Sequence, residues 1–114
     1  MGNQFKSLRA MFRSRRRWTK GASALSNTGG LVTSTSMFAC RWCLAGGVRM
    51  VYGDYNDTPE AREVIGKIVK AIRTLFPRRI RFHGDGEAAI VMQFNDDKHT
   101  DIKDIQAVVR LVKV

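Results

Sequence analysis

The chain has few of the residues that build metal and redox sites, and it has no long apolar run. Two of its 114 residues are cysteines, two are histidines and two are prolines. Its apolar stretches fall well short of the roughly 20 residues that span a bilayer, so no transmembrane helix is expected. A chain of this length supports one hydrophobic core, which argues against a two-domain enzyme.

Acidic residues are absent from the first half of the chain. The first carboxylate belongs to Asp54, whereas residues 1–53 carry nine Lys and Arg. Residues 54–114 carry eleven basic and ten acidic residues, so the net charge of +10 belongs almost entirely to the first half. We therefore divide the chain into a basic amino-terminal arm, residues 1–17, and a single domain, residues 18–114.

A dense group of cations with no acid among them attracts polyanions. Each phosphate that it neutralises releases counterions, and Arg can direct two donors at phosphate oxygens. Nucleic acid, either DNA or RNA, is the preferred partner. The predicted contact residues are the cations of residues 1–20 and one neighbouring aromatic: Lys6, Arg9, Arg13, Arg15, Arg16, Arg17, Trp18 and Lys20. The Trp18 ring could stack on a base or anchor the arm to the domain.

Other interpretations of the arm stay open. A helix over residues 5–17 would place Phe5, Leu8 and Phe12 on one stripe and basic residues on another. Such a helix also suits an anionic membrane surface, an acidic protein or the domain itself. The composition is also that of a transit peptide, and Gly2 begins an incomplete myristoylation pattern. No secretory apolar segment is present, so a cytoplasmic location is expected.

The pattern of apolar and turn residues predicts an α+β fold with about three main helices and two short β-hairpins. The first hairpin spans residues 18–35 and turns at Asn27-Thr28-Gly29-Gly30. Ser36 is expected to cap a buried helix over residues 37–52, in which Gly46 and Gly47 allow another backbone to approach.

The second half of the chain carries stronger helix signals. Thr58 and Pro59 predict the start of an amphipathic helix that Pro77 ends. A second hairpin is expected, with strands at residues 79–82 and 88–94, and a closing helix from about Thr100.

No pattern of reactive residues predicts catalysis, a metal or a cofactor. Cys40-Arg41-Trp42-Cys43 could be a redox pair or half of a zinc site, but His83 and His99 do not have the spacing of zinc ligands. Two buried free thiols are favoured. A Cys43, His99 and Asp96 triad lacks a glycine turn for an oxyanion.

Two segments, Tyr55-Asn56-Asp57 and Phe94-Asn95-Asp96, resemble each other. We interpret both as capping sequences that precede helices. The polar run of residues 95–101, which could supply acid and base groups, is then a solvated helix start.

Three motifs resemble a family of small uncharacterised bacterial and phage proteins. They are Trp18-Thr19-Lys20-Gly21-Ala22 (W-T-x-G-A), Trp42-Cys43-Leu44-Ala45-Gly46 (W-C-L-x-G) and Phe94-Asn95-Asp96 (aromatic-Asn-Asp). The resemblance covers roughly residues 17–112. It implies a bacterial or phage setting and no catalytic residues, because the family has no established activity.

The sequence therefore predicts a non-catalytic protein that binds an acidic partner, preferably nucleic acid, through its basic arm. The alternative is a phage structural, assembly or host-directed interaction protein whose arm docks into a protein partner. The expected location is the cytoplasm of a bacterial host cell or the virion.

Overall fold

A computed structural model describes residues 5–80 and 86–114 of the chain. The helices in these ranges are α1 (Leu8–Met11), α2 (Leu44–Tyr52), α3 (Pro59–Leu75), α4 (Glu87–Asp96) and α5 (Ile102–Val112). The strands are β1 (Ala24–Leu25), β2 (Leu31–Val32) and β3 (Arg41–Trp42), and 3-10 turns span Arg15–Arg17 and Pro77–Arg79. The predicted α+β class is confirmed.

The first hairpin is confirmed, and a third strand extends it. The strands lie in the order β2-β1-β3, with antiparallel pairing throughout. The turn closes where the Ser26 N–H donates to the Gly30 carbonyl at 2.9 Å, and Gly29 takes the positive φ of 88° that the turn requires. On the far side of β3, Trp18 lies beside Trp42 in a parallel bridge.

Helix α2 begins at Leu44, so the prediction that it starts at Met37 was wrong. Arg41 and Trp42 pair with β1, and the extended backbone that this pairing requires cannot be helical. The Ser36 hydroxyl accepts from the Phe38 N–H at 3.0 Å and closes a turn instead of capping a helix. The helix cap is Cys43, whose sulfur accepts from the Gly46 N–H at 3.2 Å.

The two glycines of α2 mark close approaches, as expected. A Cβ on Gly46 would collide with the carbonyl oxygen of Ser23, and one on Gly47 would lie 2.9 Å from the Phe12 ring. The first contact brings the hairpin onto α2, and the second brings the arm onto it.

Helix α3 follows the prediction. Thr58 is the cap residue, Pro59 opens the first turn and the helix ends just before Phe76. Its buried face consists of Ala61, Val64, Ile65, Ile68, Val69, Ala71 and Ile72.

Residues 88–94 are helical, so the second hairpin was wrong where the structure describes it. Arg79 belongs to a 3-10 turn, and residues 81–85 lie outside the described residues. The β-branched Ile90 and Val91 favour a strand locally, but together with Phe94 they have helical spacing and bury one face of α4 against α2 and α3.

The closing helix α5 is confirmed, and a capping box defines its start. The Asp101 side chain accepts from the Lys103 N–H at 2.7 Å, while Asp104 accepts from the Asp101 N–H at 3.2 Å. Ile105, Val108 and Val109 complete the core with α3. None of the helices in the described ranges combines the length and apolar character that a bilayer crossing requires.

Replacing Gly46 by Ala should destabilise the protein by about 3 kcal/mol, because the new methyl group meets the backbone of Ser23, which cannot rotate away. Gly66→Ala in α3 is the matched control. Its Cβ would touch only the end of the Glu87 side chain, at 3.5 Å, so helix propensity should stabilise it by about 1 kcal/mol. Urea unfolding measures both, and equal midpoints for the two variants would contradict the packing described.

Candidate functional site

The basic arm is packed onto the domain over its described part. Leu8, Met11 and Phe12 are fully buried in the core. Leu8 and Met11 lie in α1 and Phe12 directly follows it. This helix is shorter than the amphipathic helix expected over residues 5–17: it ends at Met11, and a 3-10 turn follows at Arg15–Arg17. The apolar side chains of the arm are therefore part of the protein's own core.

Hydrogen bonds fix the backbone of the arm to α5 and to Val114, which follows it. The Arg9 N–H donates to the carbonyl of Val114 at 3.0 Å. The side-chain amide of Gln106 donates to the carbonyls of Phe12 at 3.0 Å and Arg13 at 3.1 Å. The basic side chains thus project from a backbone that is held at several points.

Six of the eight predicted contact residues are exposed, and five of them lie in the arm: Lys6, Arg9, Arg13, Arg15 and Arg16. We call these five the exposed arm cations. The ion pairs formed within residues 5–80 and 86–114 involve other side chains, namely Arg49 with Asp54, Lys67 with Glu63 and Arg79 with Asp104. Within the described ranges, no carboxylate neutralises the exposed arm cations.

The other three predicted contact residues make contacts within the protein. Arg17 donates to the Cys40 carbonyl at 3.4 Å and lies over the Phe5 ring. Lys20, although exposed, donates to the Asp97 carbonyl at 2.7 Å. Trp18 is buried, and its indole N–H donates to Asn95. Of the two roles considered for Trp18, the structure shows the anchor, and the ring is not free to stack on a base.

A groove between the arm and α5 contains Arg110, a cation that the sequence pattern did not predict as a contact residue. Its volume is about 440 Å³, and its lining consists of Ser7, Arg9, Ala10, Phe12, Arg13, Gln106, Val109 and Arg110. Arg110 lies on the exposed face of α5, far from the arm in sequence. Only the packing of the arm on α5 places Arg110 in the same groove as Arg9 and Arg13.

A second feature is the buried side chain of Asn95, which does not cap a helix as predicted but lies at the end of α4. Its Oδ1 accepts from the Trp18 indole at 2.7 Å and from the Leu44 N–H at 3.0 Å. Its Nδ2 donates to the Thr19 carbonyl at 3.0 Å and to Asp96 Oδ1 at 2.9 Å. We call this set of hydrogen bonds the Asn95 cluster.

The Asn95 cluster joins the three sequence motifs. Trp18 and Thr19 belong to the first, Leu44 to the second and Asn95 to the third. Asp96 adds a further link, since its Oδ1 accepts from the Gly21 N–H at 3.0 Å. Residues far apart in the chain are thus held together by one hydrogen-bond network, which is buried at the Asn95 oxygen and exposed at Asp96.

A small cavity beside this cluster contains Cys43. It has a volume of about 200 Å³ and is lined by Gly21, Ala22, Ser23, Cys43, Met92 and Asp96. Burial raises the pKa of the Cys43 thiol, and the negative charge of Asp96 raises it further, against the lowering effect of the Gly46 N–H. The thiol is therefore held in its protonated, weakly nucleophilic form.

The structure does not bring together Cys43, His99 and Asp96 as a triad. His99 lines a different cavity, with Asp97 and residues 75–79, while Cys43 and Asp96 share the small one. His83, the other histidine considered as a zinc ligand, lies outside the described residues. No group of three potential metal ligands occurs in the part of the chain that the structure describes.

Comparison with known protein families places this chain in one of them. A family of unknown function, DUF6197, matches residues 5–112. The chain belongs to this family. The match begins within the basic arm, ahead of the three motifs, in agreement with the packing of Leu8, Met11 and Phe12 in the core. No curated protein and no solved structure matches the chain.

Replacing Asn95 by Ala should destabilise the protein by at least about 3 kcal/mol, because the Trp18 indole, the Leu44 N–H and the Thr19 carbonyl would lose their partner inside the protein. Asn56→Ala is the control, since Asn56 is exposed and the hydrogen bonds that the structure gives it use its backbone. Chemical denaturation compares the two variants. If Asn95→Ala lowers the free energy of unfolding no more than the control does, the role of the Asn95 cluster is contradicted.

The two thiols should react with iodoacetamide at different rates. Because Cys43 is buried with a raised pKa, we expect a Cys40→Ser variant to be alkylated about tenfold or more slowly when folded than when unfolded. A Cys43→Ser variant, which keeps the half-exposed Cys40, should show a smaller difference. Rapid alkylation of folded Cys40→Ser at neutral pH would contradict a protonated, sheltered Cys43.

Proposed function

We propose that this protein is a non-catalytic nucleic-acid-binding protein whose contact surface is formed by the exposed arm cations. The observation that carries the proposal is the set of five exposed cations that have no carboxylate partner within the described residues. The charges of the exposed arm cations are therefore not neutralised by carboxylates of the described residues.

The arm is packed onto the domain, and this favours a preformed binding surface rather than a basic tail that becomes ordered only on binding. A tail that folds on binding loses conformational entropy at that moment, and this loss weakens affinity. Here the backbone is held by Val114 and Gln106 before any partner arrives. Arg is also the cation best suited to phosphate, because its planar guanidinium offers paired donors.

The proposed contact surface is smaller than the sequence suggested. Arg17, Trp18 and Lys20 anchor the arm, so they support the surface without forming its centre. With no exposed aromatic ring among the proposed contact residues, binding should depend on the phosphate backbone and show little base preference.

A second candidate is a phage structural, assembly or host-directed protein that binds a protein partner. Three large apolar side chains near the edge strand β2 favour it, since Leu31 is 80% exposed, Met37 64% and Phe38 65%. Exposed apolar groups of this size occur at protein interfaces. Under either proposal the chain would act in the cytoplasm of a bacterial cell or in a virion.

Affinity for nucleic acid should fall steeply with salt, and Arg15→Gln/Arg16→Gln should make the dependence shallower. Each phosphate contact contributes about 0.7 to 0.9 to the steepness with which log affinity falls against log salt concentration. If the double variant loses two contacts, this slope should become shallower by about 1.5. Lys70→Gln/Arg73→Gln, the same charge change on the exposed face of α3, is the control. Fluorescence anisotropy with labelled single-stranded DNA, duplex DNA and RNA measures both.

Binding that ignores salt, or that is equally weakened by the α3 control, would overturn the proposed surface. Substitutions suit this test better than removing residues 1–17, because deletion would also remove Leu8, Met11 and Phe12 from the core. Copurification separates the two candidates. Nuclease-sensitive ultraviolet absorbance supports nucleic acid, whereas a stoichiometric protein that withstands nuclease supports the second candidate.

A further inference from the structure

The groove between the arm and α5 is lined by cations and has the charge of an anion site. Arg9 and Arg13 enter it from the arm and Arg110 from α5, and no acidic residue is among its lining side chains. All three arginines are exposed, and none forms an ion pair within residues 5–80 and 86–114.

Packing and hydrogen bonds hold the walls of the groove. Phe12 and Val109 are buried beneath it, and Gln106 uses its amide to hold the carbonyls of Phe12 and Arg13. Arg9 is fixed at its backbone by Val114. The positions from which the three side chains project are thus set by the fold, and Gln106 positions the groove without a free donor for a ligand.

Three arginines that line one groove give it a positive potential, and an anion bound among them offsets their mutual repulsion. A carboxylate presents its two oxygens in one plane, whereas a phosphate presents its oxygens in a tetrahedral arrangement, which Arg side chains can approach from several directions. The volume of about 440 Å³ accommodates a phosphate together with part of the molecule that carries it. The chemistry therefore favours phosphate.

We propose that this groove binds one phosphate group of a nucleic-acid backbone, and that Arg110 acts there with Arg9 and Arg13. The assignment of the phosphate to nucleic acid rests on the proposed function. The phosphate-binding chemistry of the groove does not, because a free phosphate ester would also present anionic oxygens to the arginines.

The first test uses inorganic phosphate as the probe on the full-length protein. Added phosphate should shift the NMR signals of the Arg9, Arg13 and Arg110 side chains and raise the melting temperature, relative to chloride at equal ionic strength. Arg110→Gln should abolish both responses. Lys103→Gln removes one exposed positive charge from the same helix outside the groove, and it should leave both unchanged. Equal responses in the two variants would overturn the groove as a phosphate site.

The second test uses the labelled oligonucleotides. Arg110→Gln should weaken their binding about tenfold, the value of one charge-assisted contact, while Lys103→Gln should change it little. Circular dichroism checks that both variants stay folded.

The outcomes separate the two proposals. Arg15→Gln/Arg16→Gln could weaken nucleic-acid binding while Arg110→Gln does not. This result would support the proposed contact surface and overturn the groove as a site for one of its phosphates. If phosphate binds in the groove but no oligonucleotide binds the wild-type protein, the groove stands, and the nucleic-acid source and the proposed function both fail.

Discussion

The buried carboxamide of Asn95 constrains how the first half of the chain is arranged. A buried amide needs partners for its oxygen and its nitrogen, and this one finds them in segments far away in sequence. It fixes Trp18 and Thr19 on one side and the start of α2 at Leu44 on another. Because α2 also carries Gly46 and Gly47, the same constraint sets where the hairpin and the arm can approach it. The motifs that resemble the family are therefore contact partners within one polar network.

The position of the basic arm follows from this arrangement. Trp18 is tied to Asn95, and the apolar residues before it fill the core, so the intervening cations lie on a backbone that is held at both ends. The arm divides into residues that anchor it and residues that stay exposed. Arg17 belongs to the first group, and Lys20, which follows the arm, adds a further bond from this segment to a backbone carbonyl. The exposed arm cations form the second, and their mutual repulsion is relieved when an anion binds.

The same packing shapes the chemistry of the Cys43 thiol. A cysteine at a helix start is often an activated nucleophile, because the exposed N–H groups stabilise a thiolate. Here burial and the nearby Asp96 oppose that effect and raise the pKa. Cys43 thus caps α2 as a neutral thiol, and its neighbours belong to the network that holds the fold together.

The sequence by itself determined the α+β class, the hairpin turn at Asn27–Gly30, helices α3 and α5 and the concentration of charge in the arm. These features depend on periodicity, caps and composition, which act between residues close together in the chain. Tertiary structure decided that α2 starts only at Leu44 and that residues 88–94 are helical. It also decided that Trp18 and Asn95 are buried and that Arg110 lines the same groove as Arg9 and Arg13. Each depends on a partner far away in sequence: β1 for Arg41 and Trp42, α2 and α3 for α4, and α5 for the arm. Local patterns cannot specify such partners, because burial and long-range hydrogen bonds override local preference only once the chain has folded.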